Sequence, residues 1–246
     1  MEDQGITLPA RNPFDIYRFA STLEAGEVHN EGTTIRDLQD RAKATRDAIL
    51  TGAASVFEEY GYGRASLSQV ADQAKVTKGA LYFHFPSKED LARAVIAEQH
   101  SFVSAQNKAL LEQGFPPLES MILMCRRFAA NLLTEPMVRA GSRLTLEACS
   151  FDEDVRQPYQ DWISLMGRLA REAQQRGELR GDLDPDALAR FVVSSLTGAH
   201  LVSAVLTERA DLLRRVDEMW GMLLPGVLSD DMRDTSGELI RKTAGQ

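Results

Sequence analysis

The chain of 246 residues is 43% hydrophobic and 26% charged, with a net charge of −8; that length allows one domain or two, and that apolar share supports a substantial core. There is no run of about eighteen apolar residues, no basic-then-apolar leader pattern at the polar, acidic N-terminus, and no disulfide framework or zinc spacing in the two cysteines, Cys125 and Cys149. The composition therefore excludes a membrane-spanning helix, a secretory leader and a disulfide scaffold, and predicts two buried thiols in a reducing, cytoplasmic setting.

Residues 1–40 read as a largely disordered tail with one short helix near Phe14–Phe19. From about Arg41 the apolar residues recur at helical spacing and β-branched alternation is missing, which makes this an all-α protein. The first helix is predicted from about Asp40 to Tyr60, with Ile49, Ala53, Val56 and Phe57 on one stripe and Gly61 and Gly63 at its end. Ser66-Leu67-Ser68-Gln69 is a capping box that opens a short helix to about Gln73. A turn at Lys75-Val76 follows. Thr77 caps a third short helix to about Phe83, Pro86 stops it, and Ser87 with Asp90 opens a fourth. Further helices are predicted at roughly 88–112, 117–133, 136–148, 155–176, 185–206 and 209–224, with breaks at Pro116-Pro117, Glu135-Pro136, Gly177/Gly181 and Asp184-Pro185. Pro225-Gly226 ends the last one, and 229–246 is expected to be a polar, frayed tail.

Charge is unevenly spread along these elements. Residues 33–93 carry nine Lys/Arg against eight Asp/Glu, whereas the segments on either side are acidic. Arg36, Arg41, Lys43 and Arg46 group near the start of that stretch, and Lys75, Lys78 and Lys88 follow. Phosphate contact requires a local positive face, not a basic protein. Three helices with a tight turn between the second and third suggest a three-helix helix-turn-helix domain, in which the second helix of the pair lies in the DNA major groove. Thr77-Lys78-Gly79 supplies a hydroxyl, a cation and an uncluttered backbone at that helix's start. Tyr82, three residues on, can pack on a sugar or a thymine methyl. Leu81 and Phe85 point the other way, into a small core.

The stretch SLSQVADQAKVTKGALYFHFPSKEDLA resembles the DNA-binding region of TetR-family repressors, through Gly79-x-Leu81-Tyr82-x-His84-Phe85 and Ser87-Lys88-x-x-Leu91. Within that family it looks most like the γ-butyrolactone autoregulator receptors of actinomycetes; AGSRLTLE and PYQDWISLMGRLAREAQQRGEL continue the likeness, which runs from about Arg41 to Leu224. The acidic balance resembles that of the true receptors. The first 35 or so residues depart from the pattern. The resemblance implies a helix-turn-helix domain at 41–88 and a ligand-binding and dimerisation domain at 89–228. It places Thr77, Lys78, Gly79, Tyr82 and His84 on the recognition helix, with Lys78 and Thr77 reading bases and Tyr82 positioning the protein. It also implies a phosphate on Lys88 and flanking phosphates on Lys43 and Arg46. The partners implied are palindromic operator DNA, a second copy of the chain, and a γ-butyrolactone-like effector. An antibiotic, a furan or a butenolide in place of the lactone, or no hormone ligand at all, stays open.

For the second domain, period alone reads Trp162 as ordinary core, beside Leu165, Met166 and Leu169. The resemblance implies instead that this tryptophan lines the lactone pocket, where an indole offers a flat wall and one N–H donor. Leu123, Met124, Phe128, Leu144, Leu146, Leu165 and Met166 are the other expected walls. The helices holding LARFVVSSLTGAHLVSAVL and LLRRVDEMWGMLLPGVL are apolar on more than one side, with Ser194, Ser195, Gly198 and Ala199 permitting close approach, which points to a dimer seam. Arg126-Arg127 reads as a solvated or ion-paired helix face. The four histidines are scattered, and no metal or cofactor pattern is present. An enzyme acting on a lipid-like substrate would require acid–base groups or a metal site. Asp152, Glu153 and Asp154 form the densest acidic cluster, and a helix start accounts for them.

Overall fold

The computed structural model describes residues 34–147 and 156–245. The expectations for 1–33, for Cys149 and for Asp152, Glu153 and Asp154 lie outside those residues. The chain divides into compact units 1–42 and 43–246; of the first, the described part is the opening of helix α1. The described residues form α1 (Ile35–Arg64), α2 (Leu67–Ala74), α3 (Lys78–His84), α4 (Lys88–Leu111), α5 (Pro117–Thr134), α6 (Pro136–Glu147), α7 (Gln157–Gln175), α8 (Pro185–Thr207), α9 (Leu212–Val227), a 3-10 turn (Asp230–Thr235) and α10 (Ser236–Ala244). An isolated bridge between Leu179 and Leu228 is the extent of β-pairing among them. The all-α reading holds.

Local chemistry sets most of the boundaries. At the head of α2, Ser66 Oγ accepts from Gln69 N at 3.2 Å and Ser66 N donates to Gln69 Oε1 at 2.9 Å, the two halves of a capping box. Asp184 Oδ1 accepts from Asp186 N and Ala187 N at 2.9 and 3.2 Å and opens α8. Helix α1 starts at Ile35, before the expected Asp40, because Thr34 and Asp37 cap it reciprocally: Thr34 N donates to Asp37 Oδ2 at 2.9 Å and Asp37 N donates to Thr34 Oγ1 at 3.2 Å. Its regular part breaks at Gly61, where φ is +70°, a region that favours glycine.

Two differences lie toward the C-terminus. Helix α9 begins at Leu212 because Glu208 and Arg209 both hold positive φ, 50° and 72°; it then runs through Pro225 to Val227, since a proline in the last turn removes a single hydrogen bond. Residues 230–244 are helical, not frayed. Met232, Leu239 and Ile240 pack on the main core, Thr243 is buried, and Lys242 Nζ donates to the buried Glu119 at 2.7 Å. Arg126 of α5 pairs with Asp217 of α9 and reaches Ala244 O at 3.4 Å, so the Arg126-Arg127 face is ion-paired as expected.

Side chains gather into two cores. The first joins Ile49, Phe57, Val70, Leu81, Phe85, Leu91 and Val95 with Ala140 and Leu144 of α6. It therefore extends past residue 88, taking in α4 to Ile96 and one face of α6. The second is built from α5, α7, α8 and α9 around Met121, Leu132, Leu169, Val192, Leu196 and Trp220. Helix α8 is long and apolar enough to cross a membrane by length and composition, although Arg190, Ser194, Ser195, Thr197 and His200 interrupt its apolar run. Its Leu188, Val192, Val193, Leu196 and His200 are buried. Phe191, Ser194, Gly198, Leu201, Val202 and Val205 form an exposed stripe.

Candidate functional site

Two places gather side chains that the fold alone does not require. The first is α3. Lys75 adopts left-handed φ of 55°, and its N–H caps the end of α2, which turns the chain sharply enough for α3 to start two residues later. Thr77 Oγ1 accepts from Ala80 N at 3.1 Å and fixes that start. Leu81 and Phe85, both buried, anchor α3 against the first core. Thr77, Lys78, Gly79, Tyr82 and Phe83 are left exposed on one surface, and Lys43 is exposed on α1. His84 is half-buried, with Phe83 edge-on at 5.2 Å. Burial, then the Arg46 charge, lowers its pKa, so the neutral form is favoured. The Arg46 guanidinium lies 5.4 Å from the centre of the Phe85 ring.

The second place is a cavity of about 330 Å³. Gln99, Val103 and Asn107 of α4 lie four residues apart and form one wall. Phe128 of α5 and Ser142, Thr145 and Leu146 of α6 form the next, and Tyr159, Trp162 and Leu165 of α7 face them across to Thr197 and His200 of α8. The Phe128 and Trp162 rings meet at 4.8 Å and 53°. The Trp162 Nε1–H is buried without a hydrogen-bond partner among the described residues, an arrangement that costs about 1–3 kcal/mol. Gln99 and Asn107 are buried polar residues. His100 Nε2 lies 3.0 Å from Asp161 Oδ2 at the rim. Burial, then the neighbouring Arg209, pushes His200 down to about 4; Arg209 Nε approaches its Nε2 at 3.5 Å. The volume, apolar rings and few polar groups suit a small amphipathic molecule.

Residues 49–95 match the model of the bacterial regulatory proteins of the tetR family, and residues 115–229 match a tetracyclin repressor-like C-terminal domain. The A-factor receptor protein of Streptomyces griseus is 43% identical over 189 residues, 77% of this chain and 66% of that protein. A γ-butyrolactone receptor (ArpA-like protein) of known crystal structure is 29% identical with a TM-score of 0.71, over 84% of this chain and 99% of that one. CprB from Streptomyces coelicolor, solved with its biological operator sequence, is 30% identical with a TM-score of 0.74, over the same shares, 84% and 99%. The chain belongs to the TetR family.

In this TetR-family protein the structure brings Phe128, Leu146, Trp162 and Leu165 to the cavity. It does not bring four other expected walls there. Leu123, Met124 and Met166 are buried in the second core, and Leu144, two residues before Leu146, is buried in the first. Helical period marks all of them as apolar and inward but does not say which neighbour each meets. Gln99, Asn107, Tyr159 and Thr197 are not among the expected walls, and His200 is read in the sequence only as one of four scattered histidines; the signal for the α4 pair is two amides on an otherwise apolar stripe at a spacing of eight. Lys88 also differs from expectation. Its Nζ donates to Tyr62 O at 2.8 Å and Ala65 O at 3.1 Å and sits 4.4 Å over the Tyr62 ring. In this DNA-free structure the cation closes the end of α1, where the resemblance has it on a phosphate.

The same end of α1 is held from α6. Arg139 pairs with Glu58, Arg143 Nη1 donates to Glu58 O at 2.6 Å, and Glu147 Oε2 accepts from Tyr62 N at 2.7 Å. A Cβ on Gly61 would fall 2.6 Å from both Arg143 and Glu147, so this clasp also requires glycine there. One face of α6 thus lines the cavity while an adjacent face grips the helix that carries the α2–α3 pair.

Proposed function

We propose that this TetR-family protein is a dimeric transcriptional repressor whose α3 helices lie on a palindromic operator and which releases that DNA when a γ-butyrolactone-like molecule fills the cavity. Thr77, Lys78, Gly79 and Tyr82 meet the DNA, with Lys43, Arg46 and His84 at the edges. Lys88 acts indirectly, by fixing α1 against α4. The exposed α8 stripe of Phe191, Ser194, Gly198, Leu201, Val202 and Val205 forms a two-fold seam with a second copy. It is apolar with small residues at its centre, as a close helix–helix contact requires.

The observation that carries this reading is that one helix, α6, is shared between cavity wall and DNA-binding head. Ser142, Thr145 and Leu146 face the cavity, and Arg139, Arg143 and Glu147 hold the end of α1. A ligand that shifts α6 therefore acts on the head directly, alongside any movement of α4 from Ser87. Ligand and operator favour different dimer states, with a reciprocal coupling of about 1–3 kcal/mol. A lactone carbonyl offers the acceptor that the Trp162 N–H lacks, and an acyl tail suits the Phe128 and Leu165 walls.

The test is a mobility shift on promoter DNA with and without synthetic γ-butyrolactones. Wild type is expected to shift the DNA and the lactone to release it. Trp162→Ala is expected to bind the operator within about twofold of wild type and to lose the lactone response. Release of the variant at the wild-type lactone concentration would refute the cavity assignment. A shift that no lactone reverses would keep the repressor and assign the cavity to another ligand class.

A further inference from the structure

Phe83 is 81% exposed, the most exposed aromatic ring among the described residues. Helix α3 turns Leu81 into the first core, and steps of 100° per residue then put Gly79 and Phe83, four apart, on the opposite face. Lys78 and Tyr82 flank them, both exposed. A methyl group added at Gly79 would find Thr77 Oγ1, at 4.0 Å, as its nearest neighbour. The fold therefore requires neither a bare backbone at 79 nor a large apolar ring at 83. Water is the wrong solvent for such a ring, and its edge-on contact with His84 covers little of it. The pair makes sense against a third surface: the glycine lets that surface come close, and the ring meets something apolar on it.

This inference rests on the reading of α3 as the helix that enters the operator. The edges of base pairs in the major groove are hydrogen-bonding groups with one apolar exception, the C5-methyl of thymine. We propose that Phe83 packs on a thymine methyl and makes thymine, not merely an A·T pair, the preferred base at one position of each half-site. Lys78 and Thr77 read polar edges beside it, and Tyr82 and the bare backbone at Gly79 set the distance. Phe83 is thus a specificity-determining residue that adds no charge contact.

The experiment starts by selecting a duplex from a random pool with the full chain. Each thymine of the selected half-site is then replaced in turn by deoxyuridine, which keeps every hydrogen bond and removes the methyl. At one position, replaced in both half-sites, wild type is expected to lose about tenfold in affinity, the worth of two methyl groups taken out of water. Phe83→Ala is expected to bind the parent duplex about tenfold more weakly, to be indifferent to deoxyuridine there, and to melt at the wild-type temperature because the ring is exposed. Equal deoxyuridine losses in wild type and variant, or no loss at any position, would overturn the proposal while leaving operator binding intact. A variant that binds every duplex as tightly as wild type would overturn it too. Failure to select any duplex would overturn the operator reading, and this inference with it.

Discussion

On α3, Thr77, Lys78, Gly79, Tyr82 and Phe83 face solvent and Leu81 alone is fully buried; on α7, Trp162 and Leu165 are half-buried beside the fully buried Met166 and Leu169. The head displays its chemistry on a surface that folding leaves free. The body keeps its chemistry among residues that folding also uses. A side chain turned outward against the hydrophobic period is therefore informative by its position, because nothing in the core explains it. A side chain turned inward is informative only through what it meets. The two regions share one helix, and substitutions there and on either side separate them.

The largest effect is expected where α6 crosses α4. A Cβ on Gly141 would lie 2.5 Å from Gln99 Cβ, so Gly141→Ala should cost about 3 kcal/mol and lower Tm by about 6–12 °C. Thermal melting measures it, and an unchanged Tm would mean that α4 and α6 can separate enough to take the added methyl group at no cost. Next comes acid sensitivity at His200. Its folded pKa, about 4, lies below the ordinary 6.5, so the unfolded chain binds the proton first. Stability is full above about 6.5, falls as pH drops toward about 4, and loses on the order of 2 kcal/mol over that window. Urea unfolding at pH 7 and pH 4.5 should give a smaller pH difference in His200→Gln than in wild type.

Lys88→Met sharpens the contrast at the junction. If the lysine closes α1, the variant loses about 1–2 kcal/mol of stability and operator binding retains most of its salt dependence. If Lys88 grips a phosphate instead, Tm stays and the salt slope falls by about one. The smallest effect is at Gly79. With space for a methyl group, Gly79→Ala should stabilise the free protein by up to about 1 kcal/mol through helix propensity while weakening operator binding. Stabilisation without weaker binding would show that DNA does not approach that backbone.

Much of the head is legible in sequence because its boundaries are local. Ser66 and Gln69, Thr77 and Ala80, and Ser87 and Asp90 meet within one turn. Thr34 and Asp37 belong to the same class, and that pair starts the first helix at Ile35, ahead of the expected Asp40. The body is less legible because its decisive contacts are remote. Leu144 and Leu146 share one helix and one hydrophobic class, yet one enters the head's core and the other the cavity. No local pattern ties Lys242 to Glu119 across 123 residues. The polar look of 229–246 hides a helix that packs on α5 and α9, with Leu239 and Ile240 against the main core and Thr243 buried.

That last contact bears on the order of folding. Glu119 is 1% exposed, its Oε1 has no partner among the described residues, and Lys242 supplies its counter-charge. Close by, Glu178 has its pKa raised, first by burial and in part by the charge of Glu119. Burying such a carboxylate without its cation costs about 3–5 kcal/mol. A chain leaves the ribosome N-terminus first, so the caps of the head are complete early, whereas Glu119 at the start of α5 gains its counter-charge only once Lys242 has been made.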